Sequence, residues 1–132
     1  MEIDHLGIAV RSLADALPRY EPILGGKGSA PEAVESQGVR VSFLEAGESH
    51  LEFLEPLRPE TAVGRFLDKR GEGIHHVAFR VSDVTAALRK VHDEGGRLID
   101  EVPRIGARGR IVGFAHPSSF HGVLVEFVGA TP

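Results

Sequence analysis

The sequence predicts one α+β domain that is built from two related halves. A length of 132 residues and a hydrophobic content of 42% are typical of one globular domain with its own core. Residues 4–17, DHLGIAVRSLADAL, align with residues 75–88, HHVAFRVSDVTAAL, and LEF at 51–53 aligns with VEF at 125–127. This self-similarity indicates two copies of one structural unit. Each half is predicted to contain a strand, a helix and then several strands.

The first half opens with a β-rich run that is followed by a helix with clear end signals. Residues 3–10 form the predicted first strand, and Ser12 begins an S-x-x-D pattern that caps a helix. This helix should continue to about Leu24 and end at the glycine pair 25–26. The remaining predicted elements of this half are a half-buried strand, a second strand and a helix, at 37–45, 50–54 and 59–70.

The second half repeats this order. A strand at 74–81 is followed by a helix at 83–94, which Gly95 and Gly96 close. Further strands are predicted near 97–99, 110–115 and 122–128. We therefore expect a single domain of two half-modules, at about 1–56 and 72–130, joined by a helical linker at about 57–71.

Strand geometry separates the histidines of the two first strands. Successive side chains of a strand point to opposite faces. His5 therefore shares its face with Gly7, and His76 shares its face with Ala78, whereas the opposite faces carry bulky apolar side chains. His75 lies on the bulky face, where its expected role is packing or a hydrogen bond beneath the helix.

Two His and two Glu recur at equivalent positions, one of each type per half. The glutamates are Glu52 and Glu126, each between two apolar residues of the last strand. Neutral imidazole suits Zn²⁺, Co²⁺, Ni²⁺ and Fe²⁺, and carboxylate extends the range towards Mn²⁺. A lone His or Glu on a strand is more often structural or solvated than a ligand. The recurrence favours a divalent-metal site over that ordinary alternative.

Composition excludes several classes of function. The chain has no Cys, so disulfide scaffolds, zinc–thiolate sites and thiol nucleophiles are excluded. A net charge of −4 and an aromatic content of 6% argue against nucleic-acid binding. Apolar runs fall short of the roughly 20 residues that a membrane span needs, and no signal peptide is visible. We expect a cytoplasmic protein.

Several motifs together resemble the methylmalonyl-CoA epimerases of the vicinal oxygen chelate superfamily, which also contains glyoxalase I and the extradiol dioxygenases. The motifs are HLGIAV with HHVAF, LEFLEPL, KRGEGIHH, LIDEVPRIGARGR and HPSSFHGVLVEF. The first motif marks the superfamily, whereas GEGIHH, IGARGR and HPSSFHGVLVE are closer to the epimerases. The resemblance covers nearly the whole chain.

The resemblance implies paired βαβββ modules whose strands curl into a cup around one divalent metal ion. It implies the ligands His5, Glu52, His76 and Glu126, with Co²⁺, Zn²⁺, Ni²⁺ or Mn²⁺ as the ion. The implied reaction inverts C2 of methylmalonyl-CoA, or of a related 2-substituted malonyl-CoA, by proton abstraction through a metal-stabilised enolate. Glu126 and Glu52 are the implied catalytic carboxylates.

The sequence departs from the family pattern at two positions. Val41 stands where some members have a second carboxylate, so Glu45 or Glu52 is the alternative proton-transfer group. Ser118 stands where many members have Lys. Substrate binding is expected at Gln37, Arg108 and Ser118.

Several other polar residues have two possible roles each. Arg104, Arg108 and Arg110 either meet the phosphates of coenzyme A or form a solvated basic loop. His116 and His121 either line the mouth of the cup or lie on the surface, and His50 and His92 are interpreted as ordinary exposed residues.

Two other functions remain open. The chain could be a glyoxalase-type lyase or isomerase, which requires a thiol adduct as substrate, or a metal-free protein that sequesters a small molecule. Retention of all four candidate ligands counts against the metal-free protein. The expected partners are an acyl-CoA substrate and a second copy in a homodimer, with neither nucleic acid nor membrane.

Overall fold

The computed structural model describes residues 1–130, which form three α-helices, eight strands and three short 3₁₀ turns. The helices are Leu13–Leu24 (α1), Ala62–Arg70 (α2) and Val84–Asp93 (α3). The strands are Glu2–Ala9 (β1), Glu32–Val34 (β2), Val39–Ala46 (β3), Ser49–Pro56 (β4), Gly73–Arg80 (β5), Arg104–Ile105 (β6), Ile111–Ala115 (β7) and Val125–Val128 (β8). The 3₁₀ turns are Glu35–Gln37, Ala107–Gly109 and Pro117–Phe120. Among these residues no helix is long and apolar enough to cross a membrane.

The chain separates into two compact units. The N-terminal unit is His5–His75, and the C-terminal unit combines Met1–Asp4 with the chain from His76 onward. Both boundaries fall inside strands, one in β1 and the other in β5.

In the N-terminal unit, α1 covers one face of strands in the order β2-β3-β4-β1. The first and last strands, β1 and β4, are parallel, while β3 is antiparallel to both of its neighbours. Ser12 caps α1 by accepting the N–H of Asp15, and Gly25 ends the helix at φ +79°, a left-handed conformation that favours glycine. The core beneath α1 consists of Val10, Leu13, Leu44 and Phe53.

The C-terminal unit repeats the arrangement with α3 and strands in the order β5-β8-β7-β6. Here β5 and β8 are the parallel pair, and β7 is antiparallel to both of its neighbours. Asp83 caps α3 by accepting the N–H of Ala86. The core beneath α3 consists of Val84, Leu88, Ala115, Val125 and Phe127. The predicted α+β class with two βαβββ modules is confirmed.

Three predicted strand features are wrong. Residues 35–37 form a 3₁₀ turn, so β3 begins only at Val39. β3 is not half-buried, because Ser42 and Leu44 are as buried as the residues on its other face: Leu44 packs under α1, and the Ser42 hydroxyl donates to the carbonyl of Ser29. Near 97–99 no strand forms, and Leu98 makes only an isolated bridge to Ala115.

An ion cluster fixes the start of β1 within the C-terminal unit. Asp4 is 1% exposed and accepts hydrogen bonds from Arg80 Nε and Arg110 Nη1, each at 3.0 Å. Arg110 Nε also donates to the carbonyl of Gly129 at 2.9 Å. The hydrogen bond to Asp4 raises the pKa of Arg80 above its usual value. The raised pKa favours folding with Arg80 charged, and this stability is lost only as the pH rises through that pKa, far above neutrality.

Candidate active site

The first candidate pair lies on the parallel strands β1 and β4 of the N-terminal unit. His5 Nε2 and Glu52 Oε1 are 3.3 Å apart, and both residues are buried. Glu52 is the register partner of Gly7, two residues after His5. Gly7, which shares a face of β1 with His5, therefore lies beside Glu52 of β4.

The second pair repeats this geometry on β5 and β8 of the C-terminal unit. His76 Nε2 and Glu126 Oε1 are 3.2 Å apart, and both residues are buried. Glu126 is the register partner of Ala78, again two residues after the His. The chain therefore builds the same buried His–Glu pair twice, from the residues that the repeat aligned.

Both distances suit two neighbouring ligands of one metal ion better than a strong ion pair. Charge-assisted N–H···O hydrogen bonds are usually about 2.7–2.9 Å long. Two ligands at about 2.1 Å from an ion, separated by 90–109°, lie about 3.0–3.4 Å apart. The observed 3.3 and 3.2 Å fall in the second range. Each pair offers one imidazole nitrogen and one carboxylate oxygen as possible metal-ligand atoms.

Apolar side chains surround each glutamate. In the N-terminal unit, Phe43 is the register partner of Glu52, and Val41 is that of Leu54. Because register partners share a face, these buried residues line the Glu52 side of the strands. In the C-terminal unit a cluster of Ala78, Val112 and Val128 occupies the corresponding face. Little water reaches either carboxylate, which strengthens electrostatic interactions there.

The two predicted departures from the family pattern have defined places in the structure. Val41 is fully buried, and its aliphatic side chain has no group that could transfer a proton. Glu45 is exposed near the end of β3, opposite His50 in register. Ser118 is exposed in a 3₁₀ turn, where its hydroxyl lies 2.9 Å from His116 Nδ1.

The candidate substrate-binding residues differ in exposure and in backbone geometry. Gln37 is half-buried at the end of a 3₁₀ turn that Gly38 closes with φ +69°. Arg108 is exposed, with its backbone in the left-handed region at φ 59°. Arg104 lies 3.4 Å from Asp100 and over the ring of Phe114.

The interpretation of Arg110 as a phosphate-binding or solvated residue is wrong. Its Nε and Nη1 donate to the carbonyl of Gly129 and to Asp4 within the protein. The sequence shows no sign of this, because Asp4 lies 106 positions away. Of the three arginines, Arg108 is the exposed one.

The histidines outside the two pairs divide into buried and exposed positions. His75 is half-buried, and its ring contacts Phe66 of α2 edge-on at 4.9 Å, which confirms a packing role. His92 and His121 are exposed, and half-buried His116 caps a 3₁₀ turn by accepting the N–H of Ser118. The prediction that His50 is exposed is wrong.

His50 is 8% exposed and stacks on His5. Sequence reasoning missed it, although one signal was available. His50 stands two residues before Glu52, so strand alternation places both side chains on one face.

Comparison with known proteins agrees with the fold. Residues 4–114 match the Glyoxalase/Bleomycin resistance protein/Dioxygenase superfamily. The chain is 44% identical over 124 residues to the uncharacterized protein YqjC of Bacillus subtilis, covering 94% of this chain and 89% of that one. It is 36% identical over 126 residues to the ethylmalonyl-CoA/methylmalonyl-CoA epimerase of Cereibacter sphaeroides, covering 94% of each.

A solved structure extends the likeness over the full length. A variant of methylmalonyl-CoA epimerase from Streptomyces coelicolor, in complex with 2-nitronate-propionyl-CoA, is 39% identical with a TM-score of 0.94. The alignment covers 100% of this chain and 99% of the epimerase. The chain therefore belongs to the methylmalonyl-CoA epimerase family of the glyoxalase, bleomycin resistance protein and dioxygenase superfamily.

Proposed function

We propose that this protein is an epimerase that inverts C2 of methylmalonyl-CoA or of a related 2-substituted malonyl-CoA. The observation that carries the proposal is the buried His–Glu pair that both modules build with the same register. The names of the relatives, which include epimerases for ethylmalonyl-CoA and methylmalonyl-CoA, support the substrate class. We further propose that His5, Glu52, His76 and Glu126 together bind one divalent ion, with Co²⁺, Zn²⁺, Ni²⁺ and Mn²⁺ as the candidates.

The chemical difficulty is the weak acidity of the C2 proton, which lies between a thioester and a carboxylate. When bound, a divalent ion acts as a Lewis acid that stabilises the negative charge on the thioester oxygen. The imidazole and carboxylate donors of the four residues suit such an ion.

The carboxylates of the same residues supply the proton transfers. Glu126 accepts the C2 proton, and the electron pair of the broken C–H bond moves into the thioester carbonyl to form an enolate. The C–H bond is restored with inverted configuration when a proton reaches the opposite face of C2. Glu52, in its protonated carboxylic acid form at this step, is the proposed donor, and exchange with solvent then returns a proton to Glu52 and removes one from Glu126. Proton transfer by a positioned side chain typically contributes about 10²–10⁴-fold to the rate.

Substrate binding is proposed at residues away from the pairs. Arg108 offers an exposed guanidinium to a coenzyme A phosphate, and Gln37 and Ser118 offer polar contacts. The homodimer and the cytoplasmic location expected from the sequence stay predictions.

Hydrogen–deuterium exchange at C2 tests the proposal directly. The protein loaded with Co²⁺ or Mn²⁺ is incubated with methylmalonyl-CoA in D₂O, and the substrate is analysed by mass spectrometry. We expect deuterium to enter at C2, and exchange to fall when the ion is removed by a chelator. Absence of exchange with every candidate ion would falsify the epimerase proposal. Turnover of a hemithioacetal instead would identify a glyoxalase-type enzyme.

A further inference from the structure

His50 packs against a proposed metal ligand inside the N-terminal unit. It is the register partner of His5 on the parallel strand, and the two imidazoles are stacked with centroids 5.4 Å apart and planes at 21°. Phe43 meets both rings edge-on, with centroids 5.0 Å from His50 and 6.3 Å from His5. His5 therefore lies among aromatic rings on its own face of the strands.

These contacts restrict how the His5 ring can rotate. An imidazole turns about two side-chain torsions, and its ring torsion is intrinsically broad. A ring packed against it leaves less room for that rotation, and in this arrangement Nε2 lies 3.3 Å from Glu52 Oε1. A ligand that is already oriented loses less conformational entropy when it binds an ion.

The repeat shows that this contact is particular to one module. Phe43 and Phe114 are equivalent, since each is the register partner of the glutamate in its own unit, and each meets the nearby His edge-on. His50 has no such counterpart, because the aligned position holds Leu124, an aliphatic residue. The N-terminal unit therefore has an aromatic ring at this position, where the C-terminal unit has an aliphatic side chain.

We propose that His50 is a positioning residue that holds the His5 imidazole in the orientation in which Nε2 faces Glu52. It acts through its ring rather than through its nitrogens. The inference rests on the proposed metal-binding function, which it deepens.

Three variants separate this role from its alternatives. His50→Phe keeps an aromatic ring without nitrogen donors, His50→Leu fills space without a ring, and His92→Leu is the control at an exposed position. Co²⁺ affinity is measured by calorimetry and by the visible absorption of the ion, and the melting temperature of each metal-free variant verifies folding.

We expect His50→Leu to weaken Co²⁺ binding about 10-fold or more, as is common when a residue supporting a ligand is lost. His50→Phe and His92→Leu should bind Co²⁺ within a few-fold of the unaltered protein. Equal affinity in all variants would overturn the proposal. Equal loss in His50→Leu and His50→Phe would also overturn it, because the nitrogens would then be what matters.

A second readout needs no metal. Ring ¹³C relaxation of His5 in the metal-free protein should show increased mobility in His50→Leu and unchanged mobility in His50→Phe. Unchanged His5 mobility in both variants would overturn the positioning role even if Co²⁺ binds. Failure of the unaltered protein to bind any divalent ion, with the mobility change present, would contradict the proposed function alone.

Discussion

Glu126 has two proposed roles, as a metal ligand and as the group that accepts the C2 proton. A conservative substitution separates these roles. Glu126→Gln keeps an oxygen donor but removes the group that accepts a proton. We expect turnover to fall by about 10²-fold or more, as for loss of a catalytic acid–base group, while Co²⁺ binding falls much less. Steady-state kinetics and calorimetry measure the two effects. Glu101→Gln, at an exposed position, is the control. Near-normal turnover of Glu126→Gln would leave Glu126 as a ligand only.

The adjacent histidines of β5 provide a matched comparison. His76→Ala should abolish turnover and greatly weaken Co²⁺ binding, because it removes the imidazole 3.2 Å from Glu126. His75→Ala should leave Co²⁺ binding intact and lower the free energy of unfolding by about 1 kcal/mol, since it loses its contact with Phe66. Titration calorimetry and denaturant unfolding decide between them. The reverse pattern would mean that the wrong His was assigned to the site.

Strand alternation explains why some residues could be predicted and others could not. The period of two separated His76 from His75 without any knowledge of neighbouring strands. For His50, alternation indicates only that it shares a face with Glu52; its stacking on His5 depends on which residue of β1 lies beside it, and the sequence does not reveal that register. The hydrogen bond between Arg110 and Asp4 could not be predicted either, since the two residues are 106 positions apart in the sequence.

At the scale of elements, replacing a glycine of helix α2 by alanine should destabilise the protein, which is the opposite of the usual effect in a helix. Gly64→Ala ordinarily favours a helix by about 1 kcal/mol. Here a Cβ at Gly64 would collide with the backbone carbonyl of Pro59, which a flexible side chain cannot relieve. We expect Gly64→Ala to lower the free energy of unfolding by about 1–3 kcal/mol, the usual cost of overpacking.

Chemical denaturation of Gly64→Ala measures that change, with Gly26→Ala as the control. A Cβ at Gly26 would lie 3.4 Å from Leu44 Cδ1, an ordinary contact, so this variant should unfold within about 0.5 kcal/mol of the unaltered protein. A stabilised Gly64→Ala would contradict the close packing between α2 and the loop before it.

Element prediction succeeded where local signals were strong. The capping side chains Ser12 and Asp83 act as expected, because a cap depends on residues only three positions apart. Strands β2 and β6 were not predicted because they contain three and two residues, which are too few to show an alternating pattern. The burial of β3 was misjudged because a serine such as Ser42 is usually solvent-facing, whereas here its hydroxyl donates to the carbonyl of Ser29.

For the whole molecule, the internal repeat carried most of the prediction. The alignment of the two halves anticipated the two modules and the equivalence of the two His–Glu pairs, since both follow from one strand plan used twice. Features found in one half alone, such as the His50 ring, fall outside what a repeat can anticipate. Specialisation of the site is therefore most visible where the halves differ.

The ion cluster of Asp4 has a consequence for the order of events during translation. Asp4 leaves the ribosome before its partners, because Arg80 and Arg110 follow it by 76 and 106 positions. The unit His5–His75 has all of its own residues once His75 has emerged. The other unit must keep the segment around Asp4 available until Arg110 has emerged, so this segment is synthesised well before the two arginines that secure it.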